Sequence, residues 1–196
     1  MSAYSLLVNA VATAPKRSLS TAEERREQVL AAAMRVFPDR GFLATPTTAI
    51  ADAAGISQAY LFRLFPTKLD LVLAVVAHSN GRVIETMRSA AAAAKASGEE
   101  PMPVMGKAYR DLLEDRELLM TQLHAHAAAA SMPEVAELSR ATFAELSSIV
   151  REATACDDEG LRRFFGQGML MNVMASIRAA ETDSDWARAL DVCAED

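Results

Sequence analysis

Aromatic residues, glycine and cysteine are scarce in this chain. Aromatic side chains make up 6% of its 196 residues, and it has only 8 glycines and 2 cysteines. Runs of β-branched residues are also few, whereas alanine, leucine and methionine are plentiful. Such a composition disfavours strands and favours helices. We therefore expect an all-α protein.

The sequence also lacks the usual marks of catalytic and metal sites. Cys156 and Cys193 show neither a disulfide framework nor zinc-binding spacing. His124 and His126 are two residues apart, whereas metal ligands on one helix face need a spacing of three or four. No phosphate-binding loop or nucleophile motif is present. We therefore predict no enzyme, no cofactor and no metal, in a reducing cytoplasm.

Charge is spread unevenly along the chain, whose net charge is −6. Residues 15–70 carry eight Lys or Arg against six acids, so this segment is +2 and the remainder is −8. The basic segment can attract phosphate locally, while the acidic remainder repels loose contact with nucleic acid.

Residues 1–19 have a short apolar patch at Leu6–Val8 and no basic region before it. This patch is too short to span a bilayer. We interpret residues 1–19 as a flexible N-terminal tail and expect no membrane partner.

Capping residues, prolines and glycines divide the rest of the chain into nine predicted helices. We expect Thr21 to cap the first helix and Thr45 to cap the second, with Pro46 in its first position. Ser57 and Thr67 are predicted caps of the third and fourth. The predicted helices run from about 21 to Pro38 or Gly41, from 46 to Gly55, and over about 58–65, 68–96, 103–114, 116–130, 133–155, 158–180 and 184–194.

Residues 45–68 predict two short helices joined by a tight turn at Gly55, which is typical of a helix-turn-helix. If Leu61 points inward, Phe65 lies on the same face and Arg63 points away. Arginine can pair with guanine and glutamine with adenine, while threonine hydroxyls and a lysine can contact phosphate. The residues we expect to contact DNA are Thr47, Thr48, Ser57, Gln58, Ala59, Tyr60, Phe62, Arg63 and Lys68.

Four motifs within residues 21–75 resemble the TetR family of transcriptional repressors. They are Arg26–Ala33, the Gly41-Phe42 pair, Ile50–Ser57 and Phe62–Lys68. The resemblance implies a helix-turn-helix DNA-binding domain of three helices at 20–70 and a larger helical effector-binding and dimerisation domain at 71–196. It also implies a homodimer, a double-stranded DNA operator and a small-molecule effector.

Two residues depart from the family pattern. Phe62 stands where many members have a tyrosine that contacts phosphate, and it has no hydroxyl to donate. Ala59 stands where many have glycine or proline, and its methyl group can change which base is accepted.

The second half of the chain gives weaker signals. Residues 164–174 are apolar nearly all round, which indicates a helix buried in a core or between subunits. We predict that helices 133–155 and 158–180 form a four-helix dimer interface with their copies; a monomer core is the alternative. The predicted walls of an effector pocket, which core packing alone would also explain, are Met105, Tyr109, Leu112, Met120, Leu123, His124, Phe143 and Met169.

These observations favour a dimeric repressor that binds a near-palindromic operator and is released by a small-molecule effector. We expect the fourth helix, which joins both domains, to transmit the effect of the ligand. The alternative is a helical adaptor that binds proteins and no DNA. An adaptor leaves the outward face of Gln58, Tyr60 and Arg63 without a purpose.

Overall fold

A computed structural model describes residues 22–191 and contains only helices there, with no strand in this part of the chain. The predicted all-α fold is confirmed. The predicted tail at 1–19, the cap at Thr21 and Cys193 lie outside the described residues. The helices are α1 (Ala22–Ala44), α2 (Thr47–Ala53), α3 (Gln58–Leu64), α4 (Lys68–Ser97), α5 (Pro101–Leu112), α6 (Arg116–Ala129), α7 (Pro133–Thr154), α8 (Asp158–Ser176) and α9 (Asp185–Ala189).

α1 is broken near its end. Gly41 has φ 72° and ψ 174°, a conformation that glycine adopts without strain, and Pro38 lies one turn earlier. Phe37 and Phe42 lie on either side of the break, with their rings edge to face at 5.0 Å and both side chains buried. The predicted helix end is therefore a kink, beyond which the chain continues to Ala44.

The predicted cap of α2 is wrong. Thr45 is buried, and its hydroxyl donates to the carbonyl oxygen of Gly41 at 2.7 Å. Pro46 occupies the N-cap position of α2 instead, without a side-chain cap. The hydroxyl of Thr45 is thus used by the kink in α1, which a local pattern does not reveal.

The predicted caps of α3 and α4 are confirmed. The Ser57 hydroxyl accepts a hydrogen bond from the backbone N–H of Tyr60 at 3.2 Å. Thr67 and Asp70 form a reciprocal capping box at the start of α4. These caps satisfy backbone donors at the helix starts and fix where α3 and α4 begin.

Two later helices end earlier than predicted. α8 ends at Ser176 instead of about 180, because Arg178 has a left-handed backbone with φ 54°. A 3-10 turn follows at Ala179–Glu181. α9 ends at Ala189, and residues 192–196 lie outside the described part of the chain.

One buried core joins α1–α3 to the start of α4 and to α6 and α7. Its members include Phe37, Leu61 and Val72 together with Ala125 on α6 and Val135 on α7. This core contains residues from both sides of residue 70. The DNA-binding domain predicted at 20–70 therefore packs directly against the domain predicted at 71–196. Two smaller clusters lie farther along α4, one around Leu118 and one around Met105.

Between residues 22 and 191, no helix has the length and apolarity needed to cross a bilayer. The same residues contain no group of three or more His, Cys, Asp or Glu side chains placed to hold a metal ion.

Candidate nucleic-acid interface and internal cavity

α3 presents the orientation that its sequence predicts. Leu61 and Phe65 are both 0% exposed, whereas Ala59 and Arg63 on the opposite side are exposed. The apolar face of this short helix is therefore fixed in the core, and its polar face is accessible.

Arg26 on α1 holds the end of α3. Its guanidinium donates to the carbonyl oxygen of Leu64 at 2.6 Å and lies 4.0 Å from the centre of the Phe65 ring. A helix of seven residues is too short to be stable alone, so tertiary contacts of this kind determine its position. The sequence places Arg26 in a motif but does not reveal these contacts.

Two polar contacts organise the exposed face of α2 and α3. The side-chain amide of Gln58 donates to the hydroxyl of Thr47 at 2.8 Å, which links the first turns of the two helices. The guanidinium of Arg63 lies 5.5 Å from the centre of the Tyr60 ring. Thr48 is exposed beside Thr47. These five residues, all of them predicted to contact DNA, therefore lie on one accessible surface. On it, Gln58 is paired with Thr47 and Arg63 lies beside Tyr60.

Three predicted contacts have features of their own. Ser57 is exposed, but its hydroxyl is used in capping α3. Phe62 is 39% exposed and offers only an apolar ring. The ammonium of Lys68 donates to the carbonyl oxygen of Leu43 at 2.8 Å, and partial burial lowers the pKa of this lysine. Lys68 thus joins the start of α4 to the end of α1, a contact that the sequence did not predict.

A cavity of about 790 Å³ lies among α4, α5, α6, α7 and α8. Three of the eight predicted wall residues line it: Tyr109, Phe143 and Met169.

The other five predicted wall residues lie outside this cavity, which corrects their placement. Met105 is 0% exposed and packs in the cluster with Met87 and Val150, while Leu112 and Leu123 pack against the cluster around Leu118. Met120 is also outside the lining, and His124 faces α1. Of the eight predicted wall residues only Met105 is fully buried, whereas Phe143 and Met169 are each 37% exposed. Sequence periodicity therefore could not tell which helix face meets the cavity.

A hydrogen-bonded chain of three side chains lines the cavity. The Tyr109 hydroxyl donates to the side-chain carbonyl of Gln122 at 3.0 Å and accepts from the side-chain amide of Asn172 at 2.8 Å. Burial raises the pKa of Tyr109, although both hydrogen bonds oppose the shift. Sequence analysis missed Gln122 and Asn172. The available signal was an asparagine within an otherwise apolar run.

α6 contacts both the cavity and the kink of α1. His124 Nε2 lies 3.1 Å from the carbonyl oxygen of Pro38, which can only accept, so Nε2 is the donor. A Cβ atom on Gly41 would lie 3.2 Å from Nδ1 of the same ring. Ala125, the next residue on α6, belongs to the core with α1 and also lines the cavity. A single helix therefore separates the cavity from α1.

α8 carries an exposed apolar stripe. Met169 and Val173 on α8 and Ile177, the C-cap residue directly after it, are spaced four residues apart along one face and are 37%, 43% and 56% exposed. Trp186 and Leu190 beyond α8 are also exposed.

Comparison with known proteins agrees with this architecture. A family model described as bacterial regulatory proteins, tetR family, matches residues 29–75. The transcriptional activator FasR of Mycolicibacterium smegmatis is 43% identical over 68 residues, which cover 35% of this chain and 31% of FasR. The transcriptional repressor KstR of Mycobacterium tuberculosis is 25% identical over 177 residues, covering 86% of this chain and 78% of KstR.

A solved transcriptional regulator from Pseudomonas aeruginosa PAO1 has the same fold. Its TM-score is 0.66 at 18% identity, and the match covers 90% of this chain and 89% of that one. This identity is low enough that the likeness shows the fold alone. The chain's match to FasR spans less than a third of that protein.

Proposed function

Because the chain belongs to the TetR family of bacterial regulatory proteins, we propose that it is a cytoplasmic, dimeric repressor released from its operator by a small molecule. It is a transcriptional regulator and not an enzyme. One relative is an activator and the other a repressor, so the direction of control is part of our proposal. The repressor KstR aligns over 86% of this chain and the activator FasR over 35%, which favours repression.

The exposed face of α3 is the observation that carries the proposal. Leu61 and Phe65 fix the helix in the core, and Arg26 holds its end, so Arg63, Tyr60 and Gln58 are displayed on a rigid support. Arg63 supplies the bidentate donor that suits guanine, and Gln58 suits adenine. Thr47, Thr48 and Lys68 contact the phosphates on either side. Ser57, Ala59 and Phe62 complete the surface that approaches the duplex.

The stripe of Met169, Val173 and Ile177 on α8 supports a homodimer, since a second copy would remove this apolar surface from water. Two recognition helices related by a twofold axis would read a near-palindrome with half-sites about 34 Å apart or somewhat more.

Effector control acts on the spacing between the two recognition helices. A ligand in the cavity contacts α4 and α6, both of which also pack in the core with α1–α3. α4 is the longer of these two helices, and we take it as the main element that transmits the change. The hydrogen bond from His124 to Pro38 connects α6 to α1 in addition to their shared core. Only a ligand that binds one arrangement more tightly than the other can shift this equilibrium.

Selection of genomic DNA fragments by the purified full chain tests the proposal. We expect enrichment of near-palindromic sites, and gel-shift titration of an enriched site should give a dimer-bound complex. The neighbouring genes would then suggest the effector. Recovery of fragments without any shared sequence would contradict the proposal and favour the alternative of a protein-binding adaptor.

A further inference from the structure

Charge is confined to the solvent-facing edge of the cavity. Its charged lining residues, Glu99, Lys107 and Arg110, are all exposed. Its buried lining includes apolar side chains such as Met87 and Ala125. With about 790 Å³, the cavity lies in the upper part of the range of about 300–1,000 Å³ for small-molecule pockets.

The polar chain in the cavity wall is incomplete at both ends. Gln122 is 8% exposed and Asn172 is 1% exposed. The Tyr109 hydroxyl bonds to the side-chain carbonyl of Gln122 and to the side-chain amino group of Asn172. Nε2 of Gln122 and Oδ1 of Asn172 are left buried and without partners in the described part of the chain. Buried polar atoms without partners are uncommon because desolvation costs free energy that no hydrogen bond returns. The wall therefore has a spare donor atom, Nε2 of Gln122, and a spare acceptor atom, Oδ1 of Asn172.

The imidazole of His126 adds no charge to this wall at neutral pH. Burial lowers the pKa of His126, which favours its neutral form, and its ring lies 5.9 Å from that of Phe143. A ligand carboxylate placed beside Gln122, Asn172 and the neutral His126 would be buried without a cation to pair with it. A ligand ammonium would be buried without an anion.

We propose that the cavity binds an uncharged, largely apolar small molecule whose polar group both donates and accepts hydrogen bonds, such as a hydroxyl or a primary amide, and that this group pairs with Gln122 and Asn172. Methionine side chains such as Met87 and Met171 let the remaining wall adapt to the apolar body. This inference rests on the proposed function only where it takes the ligand to be the effector.

Calorimetry on the full chain without DNA tests the ligand class. The probes are decan-1-ol, decanamide, decanoate and decyltrimethylammonium, which share one alkyl chain and differ in the polar group. We expect the alcohol and the amide to bind at least about tenfold more tightly than either ion. Equal or tighter binding of an ion, or no binding of any probe, would overturn the proposal.

Substitution of the wall tests the place of the polar group. Gln122→Leu removes the spare donor and should weaken decan-1-ol binding by about tenfold. Gln167→Leu is the matched control, because Gln167 also lines the cavity but is exposed. If Gln122→Leu fails to fold, Tyr109→Phe keeps the ring and removes the hydroxyl that orients both amides, and it should weaken the same probe several-fold. Wild-type affinity in whichever of these two variants folds would overturn the pairing.

Operator release distinguishes this inference from the proposed function. Binding of decan-1-ol without release of a selected operator would support the ligand class and contradict effector control. Binding and release by decanoate in preference to the alcohol would contradict the ligand class and support effector control.

Discussion

Lys68 joins two elements, α4 and α1, through a hydrogen bond from its ammonium to the carbonyl oxygen of Leu43. A charged ammonium has three donors, so this bond leaves two for a phosphate. Lys68 also stands in the first turn of α4, where the helix dipole disfavours a cation and a bound phosphate would compensate for it. The same side chain thus supports the fold locally and faces the proposed DNA backbone.

We expect Lys68→Ala to weaken binding to all DNA sequences alike. Loss of one phosphate contact should lower the slope of log affinity against log salt concentration by about one. Salt titrations of specific and random duplexes measure this, with Lys95→Ala, an exposed lysine at the other end of α4, as control. An unchanged slope for Lys68→Ala would mean that this lysine serves only to join α4 to α1.

Gly41 is the residue where backbone freedom matters most. Its φ of 72° is unfavourable for alanine, and the added methyl would lie 3.2 Å from His124. We expect Gly41→Ala to lower the free energy of unfolding by about 1–3 kcal/mol. Gly81→Ala on an exposed part of α4 meets nothing within 4 Å and should raise it by about 0.5–1 kcal/mol. Chemical denaturation of both variants checks the contrast, and equal stabilities would refute this description of the kink.

At the scale of elements, α3 depends on α1 for its position. Arg26→Ala removes the donor to Leu64 and the contact with the Phe65 ring, and we expect a loss of about 1–2 kcal/mol in the free energy of unfolding together with weaker operator binding. Arg25→Ala is the matched control, because within residues 22–191 the Arg25 guanidinium bonds to Gln28, one turn along α1, and not to α3. Thermal melts and gel shifts compare the two. Equal effects of the two substitutions would show that the contact with α3 is unimportant.

The orientation of α3 was predictable because which residues share a helix face depends only on positions a few residues apart. Leu61 and Phe65 lie four residues apart and share a face, so Arg63 must point away. The caps at Ser57 and Thr67 were predictable for the same reason, since a cap bonds to a backbone group three residues on.

Partners that depend on distant packing were not predictable. The hydroxyl of Thr45 was expected to cap α2, but it bonds to Gly41 because α1 kinks there. His124 was expected to line the cavity, but the rotation of α6 turns it toward Pro38. Gln122 and Asn172 were missed because three helices must meet before these amides and Tyr109 come together. Periodicity predicts that a face is buried, whereas helix rotation decides what it meets.

At the scale of the molecule, the apolar stripe on α8 predicts the oligomeric state. Ile177→Glu would place a charge in the proposed dimer interface, and we expect a monomer in light scattering at low micromolar concentration. Ala92→Glu introduces the same charge on an exposed part of α4 and should leave the dimer intact. A wild-type chain that is monomeric at this concentration, or a dimeric Ile177→Glu variant, would contradict the proposed interface.

The continuous core connects the proposed DNA-binding surface with the cavity. α6 lies between the cavity and the kink of α1, and α4 runs from the core that contains Leu61 and Phe65 to the cavity lining at Val83 and Met87. A ligand that repositions either helix therefore acts on the support of α3 through packed side chains.

The most direct test of the central claim is the affinity of Arg63→Ala for a selected operator, measured by gel shift beside Arg116→Ala, an exposed arginine at the start of α6. Loss of one bidentate base contact should cost about 1–3 kcal/mol, a weakening of roughly 5–150-fold, and should relax the preference at one base pair. We expect Arg116→Ala to bind like wild type. Undiminished affinity and unchanged base preference in a folded Arg63→Ala protein would contradict the claim that α3 reads the operator.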